Sequence, residues 1–262
     1  MISRKLVKKL ADKKYRIETG LFLVEGKKNI FELLESDFVV EAVYGTSYFM
    51  NELHTTFSTS KQLGSPSLPE FVTVSEDELV NLGTLKSNNA GIAVAVQRQS
   101  VEIDDIVRKA SKEIVLVLDD IRDPGNLGTI IRTADWFGVT HIVTSETTTD
   151  FYNPKTIAAS MGSFTRVSVA SLSLVEFFKS ARTLNIPIMS ASLTGKSLYE
   201  SNLPKHGVLV MGSESHGIQE TLHPYITLKI MIPQYGKAES LNVGVATGIF
   251  LATFRNTDDS KK

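Results

Sequence analysis

The stretch IVLVLDDIRDPGNLGTIIRTADWFG, residues 114–138, decides the fold class. Its first five residues are all apolar, which is typical of a strand that is buried on both faces of a parallel sheet. After a polar turn, apolar residues recur at helical spacing between Asn126 and Phe137, and Gly138 is placed to end that helix. The stretch therefore predicts a strand followed by a helix, the repeating unit of α/β proteins.

The alternation of strand and helix continues toward the C terminus. Apolar strand segments occupy residues 141–145, 166–170, 186–191, 207–212 and 226–233. Helices are predicted from Asn153-Pro154, over 171–184 and over 240–254. The last of these helices is apolar on nearly every face, so we expect it to be buried. This order predicts an open, mostly parallel, doubly wound sheet, which binds ligands beyond the carboxyl ends of its strands.

The residues before this sheet predict a smaller α/β domain. Its predicted elements are a helix over 1–18, a strand over 21–26, a helix over 27–34, a strand over 38–44, a loop over 64–69, a strand over 71–74, a helix that begins with the capping box Ser75-x-x-Glu78, and a strand over 90–96. We place this domain at residues 1–97, a polar linker at 98–113 and the sheet domain at 114–262. Both domains then have ordinary lengths.

Charge is unevenly distributed along the 262 residues. The chain has 28 basic and 29 acidic residues, but residues 1–30 hold nine basic against three acidic ones, and residues 31–80 hold one basic against nine acidic ones. A basic cluster is typical of a surface that binds a phosphate backbone. The alternative is the solvated face of an amphipathic helix, with Leu6, Val7 and Leu10 buried. The cluster consists of Arg4, Lys5, Lys8, Lys9, Lys13, Lys14 and Arg16.

Several classes of function are disfavoured by what the sequence lacks. Without cysteine there is no disulfide, thiolate metal site or thiol nucleophile, and the five histidines have no ligand spacing, so we expect no metal. Neither a Walker A motif nor GxGxxG is present, and GSESHG (212–217) departs from the G-x-S-x-G of serine hydrolases. No apolar run approaches the roughly 18–20 residues of a membrane span and no signal peptide is recognisable, so we expect a cytoplasmic protein.

Three loops at strand ends contain the candidate site residues. In the first, Pro124 and Gly125 form a tight turn, and Asn126 is placed to cap a helix whose free N–H groups suit an anion or a polar ligand. Arg132 lies on the polar face of that helix. In the second loop, residues 208–218, glycines allow close backbone approach to a ligand, and Glu214 is the single carboxylate.

The third loop lies within residues 230–250. Pro233 ends a strand, Ser240 is placed to cap the final helix, and Asn242 follows in its first turn. Taken one at a time, these residues are also the usual turn and cap residues, so each has a purely structural alternative.

Together and in order, the three loops carry N-x5-R, MG-x-E-x-x-G and IP-x6-SLN-x3-A. This combination resembles the SpoU-type RNA 2′-O-methyltransferases, which belong to the trefoil-knotted methyltransferases. The resemblance covers residues 114–254. Residues 1–97 resemble more loosely the accessory RNA-substrate-binding domain of the same family, above all in LFLVEGKKNIFELL (21–34).

The resemblance implies transfer of a methyl group from S-adenosylmethionine to a ribose 2′-hydroxyl of ribosomal or transfer RNA, with ribosomal RNA favoured. It also implies a C-terminal trefoil knot, no metal, and a homodimer in which each active site forms across the interface. The residues that match the family's catalytic positions are Asn126, Arg132, Glu214, Ser240 and Asn242, and those that match its cofactor contacts are Ala191, Gly212, Ile232 and Leu241. The alternative is a protein that binds RNA or a nucleotide without catalysis.

The resemblance also suggests individual roles. Arg132 is expected to grip a phosphate or alkoxide, with Asn126 and Glu214 holding it in place, whereas Ser240 and Asn242 shape the cofactor and ribose pocket. Small residues of the last helix, including Gly244, are expected to provide a close dimer contact. The chain departs from the usual family pattern at Ser213, Ser215, His216 and Gly244.

Overall fold

The computed structural model describes residues 2–57, 68–85, 90–99, 101–200 and 202–259. The chain divides into two compact units, the first formed by Met1–Gln99 with Asp150–Arg166, and the second by Ser100–Thr149 with Val167–Lys262. These units differ from the predicted domains because residues 150–166, which follow the second strand of the large sheet, pack in the first unit.

The first unit contains a four-stranded mixed sheet. Its elements up to residue 96 are α1 (Arg4–Lys9), α2 (Lys13–Thr19), β1 (Leu21–Glu25), α3 (Lys27–Leu34), β2 (Val40–Gly45), α4 (Ser47–Thr56), β3 (Glu70–Thr73), α5 (Glu76–Leu82) and β4 (Gly91–Val96). The strand order is β1-β4-β2-β3, with β4 antiparallel to both of its neighbours and β2 parallel to β3. The predicted α/β class of this unit is confirmed. Helix α4 was not predicted, and residues 64–67 of the predicted loop lie outside the described residues.

The single helix predicted over residues 1–18 is wrong, because the chain turns between α1 and α2. The Asp12 side chain caps α2 by accepting a hydrogen bond from the Lys14 N–H at 2.9 Å. Val7 and Leu10 are buried as predicted. Arg16, which was expected on the solvated face, is only 2% exposed. Its Nη1 donates to two carbonyl oxygens of the turn, at 2.8 Å each.

The remaining elements, in chain order, are α6 (Ile103–Ala110), β5 (Ile114–Leu118), α7 (Pro124–Trp136), β6 (His141–Thr144), α8 (Pro154–Ser160), β7 (Ser168–Ser171), α9 (Leu174–Thr183), β8 (Ile188–Ser197), β9 (Gly207–Met211), β10 (Leu228–Met231) and α10 (Val243–Asp259), with short 3-10 segments at Ser163–Thr165 and Glu220–Tyr225. Helix α8 belongs to the first unit, where Ile157 and Phe164 share a core with Phe22 and Phe38.

The second unit is built on a six-stranded parallel sheet in the order β10-β8-β9-β5-β6-β7. Every residue of β5 and β9 is buried. Because successive side chains of a strand point to opposite faces, the centre of the sheet is covered on both sides. The predicted doubly wound parallel sheet is therefore confirmed.

Residues 98–113 are not simply a linker, because they contain α6. Ile106, Val107 and Ala110 of this helix are buried in the core of the second unit. Their spacing, together with Ile103, is that of one apolar helical stripe, which the many charged residues between them concealed.

Helix α10 packs against α7 through its small residues. A Cβ atom added to Gly244 would lie 3.1 Å from Cγ2 of Thr129, and one added to Gly248 would lie 3.7 Å from Cγ2 of Thr133. These glycines thus allow close helix packing within one chain. Within one chain α10 is only partly buried, because Val245 is 54% exposed. Among the residues described, no helix is long and apolar enough to cross a bilayer.

Candidate active site

The three motif loops leave the same edge of the six-stranded sheet. The first follows β5, the second follows β9 and the third follows β10, and these strands run parallel with β8 between β9 and β10. Because the carboxyl ends of parallel strands share one edge, the loops are brought together as predicted for a doubly wound sheet.

Helix α7 begins two residues earlier than predicted, at Pro124, and this changes the role of Asn126. The N-cap is Asp123, whose Oδ1 accepts a hydrogen bond from the Asn126 N–H at 2.8 Å, and Pro124 occupies the first helical position. The prediction that Asn126 caps the helix is therefore wrong. Its side chain instead faces the second loop, where its Nδ2 donates to Oε1 of Glu214 at 3.2 Å.

Asn242, rather than Ser240, caps the final helix. The Asn242 Oδ1 accepts hydrogen bonds from the N–H groups of Gly244, at 2.9 Å, and Val245, at 3.3 Å. Ser240 lies two residues earlier, is exposed, and precedes the helix instead of capping it. The Asn242 Nδ2 is thereby directed into the site.

Asn126, Glu214 and Asn242 form one hydrogen-bonded group, here called the amide–carboxylate cluster. The Asn242 Nδ2 donates to Oδ1 of Asn126 at 2.9 Å and to Oε1 of Glu214 at 3.3 Å. The same carboxylate oxygen accepts from the Val243 N–H at 3.2 Å. The negative charge of Glu214 thus meets the start of α10, where free N–H groups and the helix dipole favour an anion. One residue from each motif loop takes part.

Arg132 is not joined to this cluster. Within one chain, the hydrogen bonds of Asn126 and Glu214 described above go to each other and to the third loop, and neither bonds to Arg132. Arg132 is exposed on α7, and its side chain makes no ion pair or hydrogen bond with any other residue that the structure describes.

The residues expected at the cofactor occupy neighbouring strand ends. Ala191 follows Ser190, the last residue of β8 that pairs with β9. Gly212 and Ile232 directly follow β9 and β10, and Leu241, which is 45% exposed, lies just before α10. Strand β8 continues past its predicted end, but its pairing with β10 jumps between positions 190 and 196, so residues 191–195 bulge from the sheet.

The second loop closes tightly on itself at Gly212. Ser213 and Gly217 exchange two backbone hydrogen bonds, both 2.9 Å long. A Cβ atom on Gly212 would lie 2.4 Å from the carbonyl carbon of Gly217, a distance at which main chain would have to move. Gly217 itself has φ of +71°, in the left-handed region that glycine adopts without strain.

Comparison with known proteins decides the family. The sequence model of the SpoU rRNA Methylase family matches residues 113–252, and that of the MRM3-like substrate binding domain matches residues 4–93. The chain belongs to the SpoU rRNA methylase family. This membership confirms the predicted reaction class, S-adenosylmethionine-dependent 2′-O-methylation of RNA, and S-adenosylmethionine as the methyl donor.

Several known methyltransferases resemble the chain over nearly its whole length. The 23S rRNA (guanosine(2553)-2′-O)-methyltransferase RlmP of Bacillus subtilis is 29% identical over 95% of this chain and 94% of its own. A putative RNA methyltransferase of the TrmH family from Porphyromonas gingivalis has a solved structure with a TM-score of 0.84, 32% identity, and coverage of 98% of this chain and 99% of its own. An AdoMet-bound rRNA methyltransferase from Sinorhizobium meliloti has a TM-score of 0.83 and 28% identity, and covers 97% of this chain and 94% of its own.

Two acidic residues of this SpoU site were missed by sequence reasoning. Asp119 and Asp120 directly follow β5, and both are buried. The carboxylate of Asp119 accepts hydrogen bonds from the backbone N–H of Gln219, at 2.8 Å, and from its side-chain Nε2, at 2.7 Å, and so anchors the end of the second loop. The signal was present in the sequence, since two carboxylates at the end of an apolar strand need partners when they are buried.

Asp120 has a different environment. Its φ is +57°, a conformation that Asp tolerates better than most residues, and the Arg122 Nε lies 3.1 Å from each of its carboxylate oxygens. Burial acts to raise the pKa of Asp120, but hydrogen bonds from Arg122 and Thr147 act against it. The nearby charges of Arg122 and His216 act in the same direction as those bonds, and the pKa lies below its usual value.

Proposed function

We propose that this chain methylates a ribose 2′-hydroxyl in large-subunit ribosomal RNA. The observation that carries the proposal is the amide–carboxylate cluster, which links all three motif loops at the sheet edge where a parallel sheet binds its ligands. The preference for this RNA rests on RlmP of Bacillus subtilis, which by its name acts on a guanosine of 23S rRNA and aligns with nearly the whole chain.

S-adenosylmethionine is proposed to bind at Ala191, Gly212, Ile232 and Leu241. The residues present suit this cofactor, because Leu193, 76% exposed in the bulge of β8, and Leu241, 45% exposed just before α10, are apolar side chains that offer packing for an adenine ring. The tight turn at Gly212 brings main-chain groups to the same place. The cofactor, when bound, supplies the electrophilic methyl group.

The chain's own contribution is positioning. In this proposal the amide–carboxylate cluster fixes the starts of α7 and α10. The exposed Ser240, two residues before Asn242 of that cluster, contacts the ribose. Arg132 holds a phosphate or the developing alkoxide with paired N–H donors, since a guanidinium is always protonated in proteins and does not act as a base. In-line placement of hydroxyl and methyl group accounts for much of the rate.

A homodimer accounts for the separation of Arg132 from the cluster. We propose that Arg132 of one copy completes the site of the other. Large apolar side chains support this arrangement, because Trp136 on α7 is 84% exposed and Val245 on α10 is 54% exposed. The proposal also includes the C-terminal trefoil knot and the cytoplasmic location that are expected from the sequence.

The basic surface of α1 and α2 is proposed to contact the RNA phosphates. Lys5, Lys8 and Lys13 are exposed, and the Lys9 Nζ lies 4.5 Å from the centre of the Tyr15 ring. Basic side chains beside an aromatic ring suit a nucleic acid, which offers both phosphates and base faces. This surface belongs to the part of the chain that matches the substrate binding domain.

The direct test uses 23S rRNA transcribed in vitro, which is free of modifications, and S-adenosylmethionine labelled in its methyl group. We expect label in 2′-O-methylated nucleosides after complete digestion of the RNA. An Asn242→Ala variant, which breaks the cluster, is expected to lose transfer, whereas Asn51→Ala, at an exposed position of α4, should not. Binding of RNA without any transfer would support the alternative of a non-catalytic binding protein, and label in bases alone would overturn the proposal.

A further inference from the structure

Ser213, Ser215 and His216 of the second loop, which depart from the usual family pattern, are linked by hydrogen bonds, and His216 lies within ion-pair distance of Asp120. The His216 Nδ1 lies 3.1 Å from Oγ of Ser215, and its Nε2 lies 3.5 Å from Oδ2 of Asp120. The Ser215 hydroxyl also lies 3.0 Å from Oγ of Ser213. The chain thus runs from exposed hydroxyls, through an imidazole, to a buried carboxylate.

We propose that His216 takes up the proton that the ribose 2′-hydroxyl loses during methyl transfer, through the hydroxyl of Ser215. Asp120 acts as a positioning residue, which orients the imidazole and stabilises its charged form. The inference rests on the proposed function and adds a proton acceptor to it.

The reaction needs such an acceptor. As the 2′-oxygen forms its bond to the methyl carbon, the bond between that carbon and sulfur breaks, and its electron pair stays on sulfur. The O–H bond of the ribose breaks at the same stage. Its proton passes to Oγ of Ser215, while the proton of Ser215 passes to Nδ1 of His216. Arg132 cannot take this part, because its guanidinium is already protonated.

The surroundings of His216 suit an imidazole that gains charge. Its side chain is 46% exposed, whereas that of Asp120 is 4% exposed. The pKa of Asp120 lies below its usual value, which favours a negative charge facing the imidazole. Arg122 pairs with the same carboxylate from the loop before α7. Glu214, in the loop of His216 itself, directs Oε1 toward the amide–carboxylate cluster.

Position also favours this chain of groups. Ser215 and His216 directly follow Glu214, the member of the amide–carboxylate cluster that joins the second loop to the starts of α7 and α10. The proposed acceptor therefore belongs to the same short loop as Gly212, the expected cofactor residue. A serine hydrolase would need Ser215 in a strained turn between two glycines as its nucleophile, and this loop lacks that arrangement.

The test measures single-turnover methyl transfer from labelled S-adenosylmethionine to the unmodified 23S rRNA transcript between about pH 5 and 8, the range in which imidazole titrates. For the wild type we expect the logarithm of the rate to rise with pH with a slope of one and then level off. His216→Gln should be slower by about 10²-fold and should lose this acid limb, since general-base groups contribute factors of about 10²–10⁴. His223→Gln, at an exposed position outside the loop and five residues beyond its end, is the matched control and should behave as the wild type.

Two further variants test Asp120 and Ser215, the partners of His216. Asp120→Asn keeps a residue that tolerates the positive φ but removes the charge. We expect a lower plateau rate, because the imidazole loses the carboxylate that orients it. Ser215→Ala should lower the rate with little change in the KM for S-adenosylmethionine. Calorimetric cofactor binding by each variant shows that the loop still folds.

The outcomes separate this inference from the proposed function. A wild type that does not methylate the transcript overturns the proposed function. An active wild type with a His216→Gln variant that keeps both the rate and the acid limb overturns only the role of His216. A variant with an unchanged rate at saturating RNA but a raised KM for RNA would likewise overturn it, since His216 would then serve only in RNA binding.

Discussion

Replacing Arg16 with Met removes a buried guanidinium and leaves a side chain of similar length. Arg16 is 2% exposed and its partner Asp150 is 18% exposed. The Arg16 Nε and Nη2 donate to Oδ2 of Asp150 at 2.9 and 2.7 Å, and its Nη1 donates to the carbonyl oxygens of Leu10 and Ala11. The substitution therefore removes the Arg16 donors from Oδ2 of Asp150 and from two carbonyl oxygens, while Oδ1 of Asp150 still accepts from the Tyr152 N–H.

We expect this loss to lower the free energy of unfolding of the first unit by about 3–5 kcal/mol, the usual cost of removing one partner from a buried ion pair. Arg4→Met is the matched control, because Arg4 pairs with Glu78 at 2.9 Å while their side chains are 59% and 41% exposed. An exposed pair of this kind contributes at most about 1 kcal/mol.

Hydrogen exchange followed by mass spectrometry is the suitable assay, because the two units need not unfold together and a single denaturation curve would mix them. Peptides from β1 and α3 should lose protection in Arg16→Met, and peptides from β5 and β9 should keep it. A loss of less than about 1 kcal/mol, equal to that of Arg4→Met, would show that the pair is not the anchor that its geometry indicates.

Three other predictions concern the reaction and the RNA. Arg132→Ala should abolish methyl transfer while calorimetric binding of S-adenosylmethionine stays unchanged, and full activity would refute its role. Gly212→Ala should abolish cofactor binding, because its Cβ would lie 2.4 Å from the carbonyl carbon of Gly217, whereas Gly236→Ala, which meets no atom within 4 Å, should not. Joint replacement of Lys8, Lys9, Lys13 and Lys14 with Ala should weaken RNA binding. The slope of the logarithm of the binding constant against the logarithm of the salt concentration should become shallower by about 0.7–0.9 for each RNA phosphate that is no longer neutralised. An unchanged slope would show that these lysines are only solvated and do not contact RNA.

Sequence periodicity predicted most of the large sheet, because its strands are continuous apolar runs and its helices carry a clear apolar stripe. Periodicity failed where polar contacts of single side chains decide the chain path. The break between α1 and α2 depends on Asp12 as a cap and on Arg16, whose partner Asp150 lies far away in the sequence. Charged residues likewise concealed α6, whose apolar stripe is short.

The candidate site shows the same division between what the sequence predicts and what only the fold reveals. The sequence motifs place Asn126, Glu214 and Asn242 in loops at one edge of the sheet. In the structure these three side chains form hydrogen bonds with one another. Their individual roles were harder to predict, because two residues in each loop can cap a helix equally well: Asp123 or Asn126, and Ser240 or Asn242.

In both loops the choice of cap decides which side chain remains for the site. At the start of α7, Asp123 takes the cap and Asn126 turns to Glu214. At the start of α10, the cap and the site contact come from one residue, because the Oδ1 of Asn242 binds the helix while its Nδ2 binds Glu214 and Asn126. An amide can do both only because it carries an acceptor and a donor on the same group. Asp at position 242 would keep the cap and repel Glu214, so the chemistry of the site, rather than that of the helix, selects Asn there.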